Sequence, residues 1–596
     1  MPDPSVEYSK RLENKQKLIA TKNAIHFRIG YWKLATIAVG LVMLWATLAR
    51  HLFAPYFLFI PAALYLALAL FHEKTIRDRT HAETAAAFYQ RGIARIEDRW
   101  PGTGETGERF RDPKHIYAED LDLFVRGGLF QLLSTARLPM GENRLAQWLC
   151  TPSSVAEIIE RQELVGALRE KLDLREDIAV TGEDLRASLN LESLTGWSET
   201  PALLPSGAMR VVAIFLALCA AATLWYSLAK LNYFPLLVVL LVEAGVTRWL
   251  WTRANEVITT LTGNAEGLIL FSKVLQRLED EQYSSPRLQN HIAKLKGDGG
   301  SASRALLHLA RIVNWTNGRD SLIGKLAELP FLYTIQSGFA AEAWRRRCGA
   351  QMRNWMEVVS EMEALLSLAT YSYEHPTDPF PEFIVQENSA AFFHGAELGH
   401  PLIPSTKCVR NSIRLDQSQR LVLISGSNMS GKSTFLRTVG INTVMAMAGG
   451  PVRGTSLQLT PLAIGTRIRS TDSLQEGRSS FFTEILQIRQ VFELTHAPMP
   501  LLFLFDELLE GTNSNDRRIG SEGLLRALLK HGAIGIVTTH DLALTEVADP
   551  LGGEVRNKHF QDHVEDGKMR FDYKLQDGIV AKSNALALMR LIGLDV

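Results

Sequence analysis

Hydrophobic residues follow two patterns along this chain. Four long runs are apolar on every side, whereas the rest of the chain shows amphipathic helical segments and, towards its end, short apolar strands. The runs cover residues 34–49, 52–71, 211–229 and 231–246, and the last contains Glu243. A helix needs about 20 apolar residues to cross a bilayer, so the second and third runs are long enough and the other two are marginal.

The spacing of the runs groups them into two helical hairpins, over residues 34–71 and 209–251. Because the runs are apolar all round rather than along one stripe, we predict that both hairpins cross a membrane. The alternative is a pair of hairpins buried in a soluble core. The basic residues before the first run place the N-terminal tail in the cytoplasm by the positive-inside rule. These residues are Lys10, Arg11, Lys15, Lys17, Lys22, Arg28 and Lys33.

Each hairpin returns the chain to the side on which it started. We therefore predict a multi-pass membrane protein whose other segments face the cytoplasm, without a cleavable signal peptide. The 596 residues are enough for roughly two to four folding units. The 64 basic and 64 acidic side chains balance, so no overall charge attracts nucleic acid. The four cysteines lack CxxC spacing, which indicates reduced thiols rather than disulfides or a zinc site.

A glycine-rich segment lies between a predicted strand, residues 420–425, and a helical pattern. It fits GxxxxGK[ST], in which backbone N–H groups and a helix N-terminus cradle phosphate. Lys432 is expected to reach the β and γ phosphates of ATP, and the Ser433 hydroxyl to ligate Mg²⁺. The predicted nucleotide-binding residues are Gly426, Ser427, Asn428, Met429, Ser430, Gly431, Lys432, Ser433 and Thr434.

Two further predicted strands end in polar residues. The strand at 501–505 is followed by Asp506, a predicted Mg²⁺ ligand, and by Glu507, a predicted general base. The strand at 533–537 leads to His540, which either contacts the γ-phosphate as a catalytic residue or is structural. The alternation of strands and helices, together with these motifs, predicts an α/β P-loop NTPase domain with a doubly wound sheet. We therefore expect an ATPase that binds ATP and Mg²⁺ at the carboxyl ends of its strands.

These motifs resemble those of the MutS family of ATPases, relatives of the ABC ATPases. Residues 428–434 are similar to its NMxGKST motif, and residues 477–484 to its signature G-x-S-T-F-x-x-E. The resemblance implies that Ser479 and Ser480 complete the ATP site of a partner subunit, and hence a homodimer. Residues 511–516 resemble the GTSTYD loop, which implies that Thr512, Asn513 and Asp516 lie at the dimer interface. The chain departs from the family at Leu509 and Glu510, where Gly-Arg is common, and at Arg517, where glycine is common.

The resemblance extends upstream of the ATPase motifs. Residues 129–152 are similar to the start of the MutS lever or core region, residues 255–373 would be its returning half, and His400 begins an element similar to the family's His-Pro. The predicted organisation is a basic cytoplasmic tail (1–33), transmembrane hairpin 1 (34–71), the first half of an all-α lever (72–208), transmembrane hairpin 2 (209–251), its second half (252–375) and the ATPase domain (376–596).

Two functions remain open from the sequence. The resemblance implies an ATPase that binds mismatched or branched DNA in a repair-type role while tethered to a membrane. The mismatch-reading domain with its Phe-x-Glu wedge is replaced here by the tail and the first hairpin. The alternative is a membrane-bound, ATP-driven conformational switch that acts on a protein partner without DNA. Half of an ABC transporter fits less well, because there are few membrane helices and GRSSF replaces the LSGGQ-type signature.

Overall fold

The computed structural model describes residues 3–579 apart from short gaps, and they form two compact units. The helical unit comprises Met1–Glu97, Leu172–Glu281 and Leu295–Trp355, and the α/β unit comprises Asp98–Lys171, Gln282–Lys294 and Met356–Val596. The gaps are residues 189, 206, 298–299, 319–324, 326–327, 329–330, 385–389, 428, 469–479, 511, 541–544, 546–552 and 566–567. Residues 1–2 and 580–596 also lie outside the described residues.

The helical unit consists of long helices and one small strand pair, in which β1 (Lys296–Gly297) runs antiparallel to β2 (Gly300–Ser301). The long helix Tyr333–Glu374 gives its first part to this unit and its last part to the α/β unit. The other helices are Pro4–Arg50, Phe59–Ile96, Leu172–Ser188, Leu191–Glu199, Gly207–Lys230, Phe234–Thr259, Ala265–Asp280 and Ala302–Asn317, with a 3₁₀ turn at Pro55–Leu58.

The predicted basic tail and the first apolar run form one continuous helix, Pro4–Arg50. Asp3 caps it by accepting a hydrogen bond from the Ser5 N–H, and Pro4 suits its first turn because proline lacks an N–H. The helix ends at Arg50, and His51, which follows it, adopts a left-handed conformation at φ 51°. The four helices that carry the apolar runs are long and apolar enough to cross a membrane, and at most 17% of the most apolar window of each is buried.

The α/β unit contains two sheets. Its helices are Leu129–Leu133, Pro139–Cys150, Val155–Leu168, Pro286–Ala293, Lys432–Met447, Ser480–Glu493 and Ser514–Lys530, with 3₁₀ turns at Glu108–Phe110 and Leu494–His496. Its strands are β3 (Glu382–Phe383), β4 (Phe393–Leu398), β5 (Asn411–Leu415), β6 (Leu421–Ser425), β7 (Ser456–Leu459), β8 (Ala463–Arg467), β9 (Leu501–Asp506), β10 (Ile534–Thr539), β11 (Val555–Glu565) and β12 (Lys568–Asp577).

The larger sheet has the order β12-β11-β6-β10-β9-β8. The five strands from β11 to β8 are parallel, and β12 is antiparallel to β11. The predicted strands β6, β9 and β10 are confirmed, and the α/β class with them. Helices cover both faces of the sheet: Ser480–Glu493 and Ser514–Lys530 pack on one, and Lys432–Met447 on the other.

The sequence did not predict the second sheet, of order β3-β7-β4-β5. Its β4 pairs antiparallel with β5 and with β7, while β3 runs parallel to β7. Buried and exposed residues alternate along β5, as expected for a strand with one face on a core. The sheets of this unit are therefore mixed.

Candidate functional site

A cavity of about 760 Å³ opens in the α/β unit where β6 and β9 end. Ligands of open α/β sheets bind at such carboxyl ends. Eight of the predicted site residues line it: Ser427, Met429, Gly431, Lys432, Ser433, Thr434, Asp506 and Glu507. The structure therefore brings together segments that are more than 70 residues apart in the chain.

The loop between β6 and the following helix has the close backbone approach that its glycines allow. Gly431 has φ 103°, and a Cβ there would lie 3.0 Å from a Tyr573 ring carbon. The Ser427 and Ser430 hydroxyls have no hydrogen-bond partner among the described residues, although both oxygens are buried. No described side chain caps the helix Lys432–Met447. Its first N–H groups and these hydroxyls are donors suited to phosphate oxygens.

The Lys432 ammonium is held inside the loop. Its side chain is 4% exposed, and Nζ lies 3.8 Å from Glu507 Oε1. It donates hydrogen bonds to the carbonyl oxygens of Gly426 (2.8 Å) and Ser427 (3.0 Å). Burial lowers the pKa of Lys432, and the negative charges of Glu507 and Asp506 oppose that change. The cation therefore lies inside the glycine-containing loop, with acidic neighbours.

Thr538 joins the two acids at the end of β9. Its hydroxyl donates a hydrogen bond to Asp506 Oδ1. The Glu507 N–H donates to the carbonyl oxygen of Thr538 (3.1 Å) and lies 3.3 Å from its hydroxyl oxygen. Thr538 is buried, and it faces Asp506 in the parallel register of β10 with β9. No role was predicted for Thr538, because its partner lies 32 positions away on a neighbouring strand.

His540 contacts the carboxylate of Glu507, with 3.2 Å between Nδ1 and Oε1. Glu507 itself has φ 50°, a conformation that non-glycine residues seldom adopt. The possible ligand atoms of Glu507, Glu510 and His540 lie within 4.8 Å of one another, so these residues could also hold a metal ion. The contact between His540 and Glu507 was not predicted from the sequence, and the predicted role of His540 at the γ-phosphate stays a prediction.

His400, Asn411 and Tyr573 also line the cavity. Burial lowers the pKa of His400 to about 4. The Leu402 N–H donates to its Nδ1 at 3.2 Å, as expected for a neutral ring. The Asn411 side chain donates to the carbonyl oxygen of Tyr573 at 2.9 Å and accepts from the Leu575 N–H at 2.8 Å. The sequence reached His400 only through resemblance and did not predict Asn411 or Tyr573 in the site.

Residues 422–595 match the family model of MutS domain V. This domain of the chain belongs to the MutS family. The chain is 36% identical over 203 residues to "Endonuclease MutS2" of Thermus thermophilus, covering 33% of this chain and 25% of that protein. It is 31% identical over 251 residues to "DNA mismatch repair protein MutS" of Bacillus thuringiensis and of Bacillus cereus, covering 40% of this chain and 27% of each relative. The match thus spans about a quarter of each relative's length.

The MutS signature segment is only partly described. Ser479, like Asn428 of the nucleotide loop, lies outside the described residues, and so does the side chain of Ser480, which begins the helix Ser480–Glu493. Further along this helix, the buried carboxylate of Glu484 accepts a hydrogen bond from the Leu509 N–H at 2.8 Å. The signature helix therefore holds the segment that follows Asp506 and Glu507 in the same subunit.

The predicted interface loop forms a helix start. The Asn513 side chain accepts a hydrogen bond from the Asp516 N–H at 2.9 Å and so caps the helix Ser514–Lys530. Thr512 is half-buried, while Asn513 and Asp516 are exposed. Of the described residues, those that line the cavity include none of these three. Their assignment to a dimer interface stays a prediction.

The departures from the MutS pattern are connected in space. Leu509 has φ 56°, the left-handed conformation that glycine, common in the family here, adopts without strain. Arg517 Nε donates to the carbonyl oxygen of Leu509 at 3.1 Å, and an Arg517 amino group donates to that of Glu510 at 2.6 Å. Arg517, which stands where glycine is common in the family, therefore holds the backbone of Leu509 and Glu510, the other two positions that differ from the family.

Proposed function

We propose that this chain is a Mg²⁺-dependent ATPase of the MutS type, anchored in a membrane by its two helical hairpins. The observation that supports this proposal best is that Lys432, Asp506 and Glu507 line one cavity together with the glycine-rich loop. The cavity volume of about 760 Å³ is within the range of small-molecule sites. The unpartnered Ser427 and Ser430 hydroxyls fit a ligand rich in acceptor oxygens.

Each residue of the site would have a separate role in hydrolysis. Ser433 and Asp506 would hold Mg²⁺, which when bound neutralises phosphate charge. Lys432 would exchange its two carbonyl partners for phosphate oxygens. Glu507 would accept the proton of the attacking water, and His540, 3.2 Å from its carboxylate, would orient it. Thr538 would keep both acids in place through its hydroxyl and carbonyl groups.

Replacing Lys432 by Ala tests the nucleotide site. The change removes the buried cation, so affinity for ATP should fall by at least ~100-fold, as expected when a charge-assisted contact of about 3 kcal/mol is lost. Isothermal titration with ATP and Mg²⁺ measures it. Lys530→Ala, an exposed lysine at the end of the helix Ser514–Lys530, is the matched control. Unchanged affinity in Lys432→Ala would refute the phosphate-cradle assignment.

The membrane anchor is supported by side-chain exposure. Leu34 is 65%, Phe59 75% and Trp225 74% exposed, although all three lie in apolar runs. Large apolar surfaces of this kind mark membrane or protein contacts. The protein should therefore stay in membranes after alkaline extraction, and single cysteines at residues 53 and 232, in the hairpin turns, should react with a label from the outer side only. Release by alkali would contradict the anchor.

A homodimer is proposed from the MutS resemblance, in which the signature segment completes the site of the other subunit. Mixing two inactive variants tests this arrangement. One variant is Lys432→Ala, and the other carries both Ser479→Ala and Ser480→Ala; each alone should lack turnover. A mixture forms heterodimers in which one site combines an intact Lys432 with the intact serines of the other subunit. Recovery of turnover in the mixture supports the trans arrangement. No recovery, with mixed dimers shown by differential tags, would contradict it.

We infer that the ATPase works as a switch that moves the membrane hairpins or a protein partner. DNA processing is the second candidate, favoured by the names of the relatives, "DNA mismatch repair protein MutS" and "Endonuclease MutS2". The match to them covers the ATPase region, and the net charge is zero. ATPase rates with duplex, mismatched and branched DNA at two salt concentrations separate the two. Salt-sensitive stimulation favours DNA processing, because phosphate binding depends on salt, and indifference to DNA favours the switch.

A further inference from the structure

Five exposed cations lie just beyond the apolar runs of the helical unit, all at the ends that we place on the cytoplasmic side. We call them the rim: Arg28, Lys74, Arg77, Arg248 and Arg253. Within the described residues none of the five forms an ion pair of 4 Å or less. Lys22, a neighbouring cation, by contrast forms an ion pair within the chain, with 2.6 Å between its Nζ and Asp78 Oδ2. The rim charges are therefore available to a partner outside the chain.

The position of the rim along its helices matches the headgroup layer of a bilayer. The five residues lie two to seven positions beyond the ends of the runs, which is about 3 to 11 Å at the rise of an α-helix. The headgroup region extends roughly 5 to 8 Å beyond each side of the hydrocarbon core. Long basic side chains reach such a layer by extending along the helix surface. All five can therefore meet lipid phosphates.

Exposed aromatic side chains occur at the same level and mark the interface independently. Tyr31 is 73%, Trp32 64% and Trp249 54% exposed, and each lies within three residues of the end of an apolar run. Tyrosine and tryptophan concentrate where a helix passes from hydrocarbon to water. The combination of exposed aromatic rings with unpaired cations is the composition of a surface that binds anionic headgroups.

We propose that the rim binds the phosphate groups of anionic phospholipids and so selects these lipids around the two hairpins. The same stretches contain three acidic side chains, Glu73, Asp78 and Glu256. Asp78 already forms an ion pair with Lys22, so two acids remain and do not cancel the charge of the rim. Five rim cations against two remaining acids leave an excess of positive charge. This inference rests on the membrane anchor proposed above and goes beyond it by naming the lipid class.

Lipid selectivity of the full-length protein in phosphatidylcholine vesicles with added phosphatidylglycerol tests the proposal. Electron spin resonance of spin-labelled lipids measures how strongly each lipid associates with the protein. The wild type should prefer phosphatidylglycerol, by about fivefold at each rim cation. Arg28→Gln with Lys74→Gln removes two of the five, so the excess association should fall by about two fifths. Added salt should weaken it, because it screens exposed charges.

Lys10→Gln with Lys17→Gln is the matched control. These lysines lie on the same helix as Arg28, but about 36 and 26 Å before the first apolar run, beyond the reach of screened interactions. The control should keep the wild-type selectivity. Equal association of both lipids with a wild type that resists alkaline extraction would overturn the rim and leave the anchor intact. An equal loss in the control would also overturn the rim, and release by alkali would overturn the anchor and the rim together.

Discussion

Thr538 makes a strong test of how the two acids of the site are positioned. Its hydroxyl donates to Asp506 Oδ1, and its backbone carbonyl accepts from the Glu507 N–H. Valine has almost the same shape as threonine and can occupy the same buried strand position, so Thr538→Val removes the hydroxyl and keeps the carbonyl contact. The change removes the hydrogen bond to the proposed Mg²⁺ ligand and the 3.3 Å contact of the hydroxyl with the Glu507 N–H, which keeps its bond to the carbonyl oxygen.

The expected effect follows from that bond. A hydrogen bond to a charged group contributes about 1.5 to 3 kcal/mol, and loss of a group that orients a metal ligand reduces affinity or activity roughly 10- to 100-fold. Thr538→Val should therefore raise the Mg²⁺ concentration needed for half-maximal ATP hydrolysis by about tenfold or more. Binding of nucleotide without Mg²⁺ should change little, because Lys432 and the phosphate cradle are untouched.

ATPase rates across a Mg²⁺ titration provide the assay. Thr538→Ser is the matched control, since it keeps the hydroxyl and should keep the wild-type Mg²⁺ dependence. A melting curve of each variant shows whether the domain remains folded. If Thr538→Val hydrolyses ATP with the wild-type Mg²⁺ dependence, the hydroxyl does not position Asp506 and the reasoning is refuted.

The contacts determine the expected outcome of four further experiments. Gly141→Ala should destabilise the α/β unit by about 1 to 3 kcal/mol in urea unfolding, because the new Cβ would lie 2.5 Å from the Cβ of Glu363. Burial raises the pKa of Glu363 to about 8, so stability should fall as pH rises from the usual carboxyl range towards 8, and Glu363→Gln should remove that slope. Gly431→Ala should impair ATP binding in titrations, since φ 103° disfavours alanine and its Cβ would meet Tyr573 at 3.0 Å. Burial lowers the pKa of Lys432, so this side chain should lose its charge at a lower pH than an ordinary lysine, whose pKa is ~10.4. ATP affinity, measured by titration, should therefore decline as the pH rises towards that value. An affinity that does not change over this range would contradict the assignment.

Local patterns explain what could be predicted from the sequence. The strands β6, β9 and β10 are short apolar segments, and the glycine-rich loop and the strand-end acids have fixed spacing to them. The rule that ligands meet the carboxyl ends of parallel strands was sufficient to bring Lys432, Asp506 and Glu507 together. The apolar runs likewise predicted the four helices long enough to span a membrane.

What could not be predicted depends on register and on distant pairing. Thr538 meets Asp506 only because β10 lies between β6 and β9 in the sheet, an order that the chain order does not reveal. The contact of Arg517 with the backbone of Leu509 requires the conformation of the intervening loop. The second sheet was missed because β3 has two residues and pairs with a strand more than 70 positions away.

The catalytic assignment of Glu507 is the central claim, and one measurement tests it most directly. The purified protein in lipid nanodiscs is compared with its Glu507→Gln variant for Mg²⁺-dependent phosphate release and for binding of ATP. The account predicts turnover in the wild type, loss of turnover in the variant and ATP binding in both, because glutamine keeps the shape but cannot accept the proton. Turnover that survives Glu507→Gln would contradict the account.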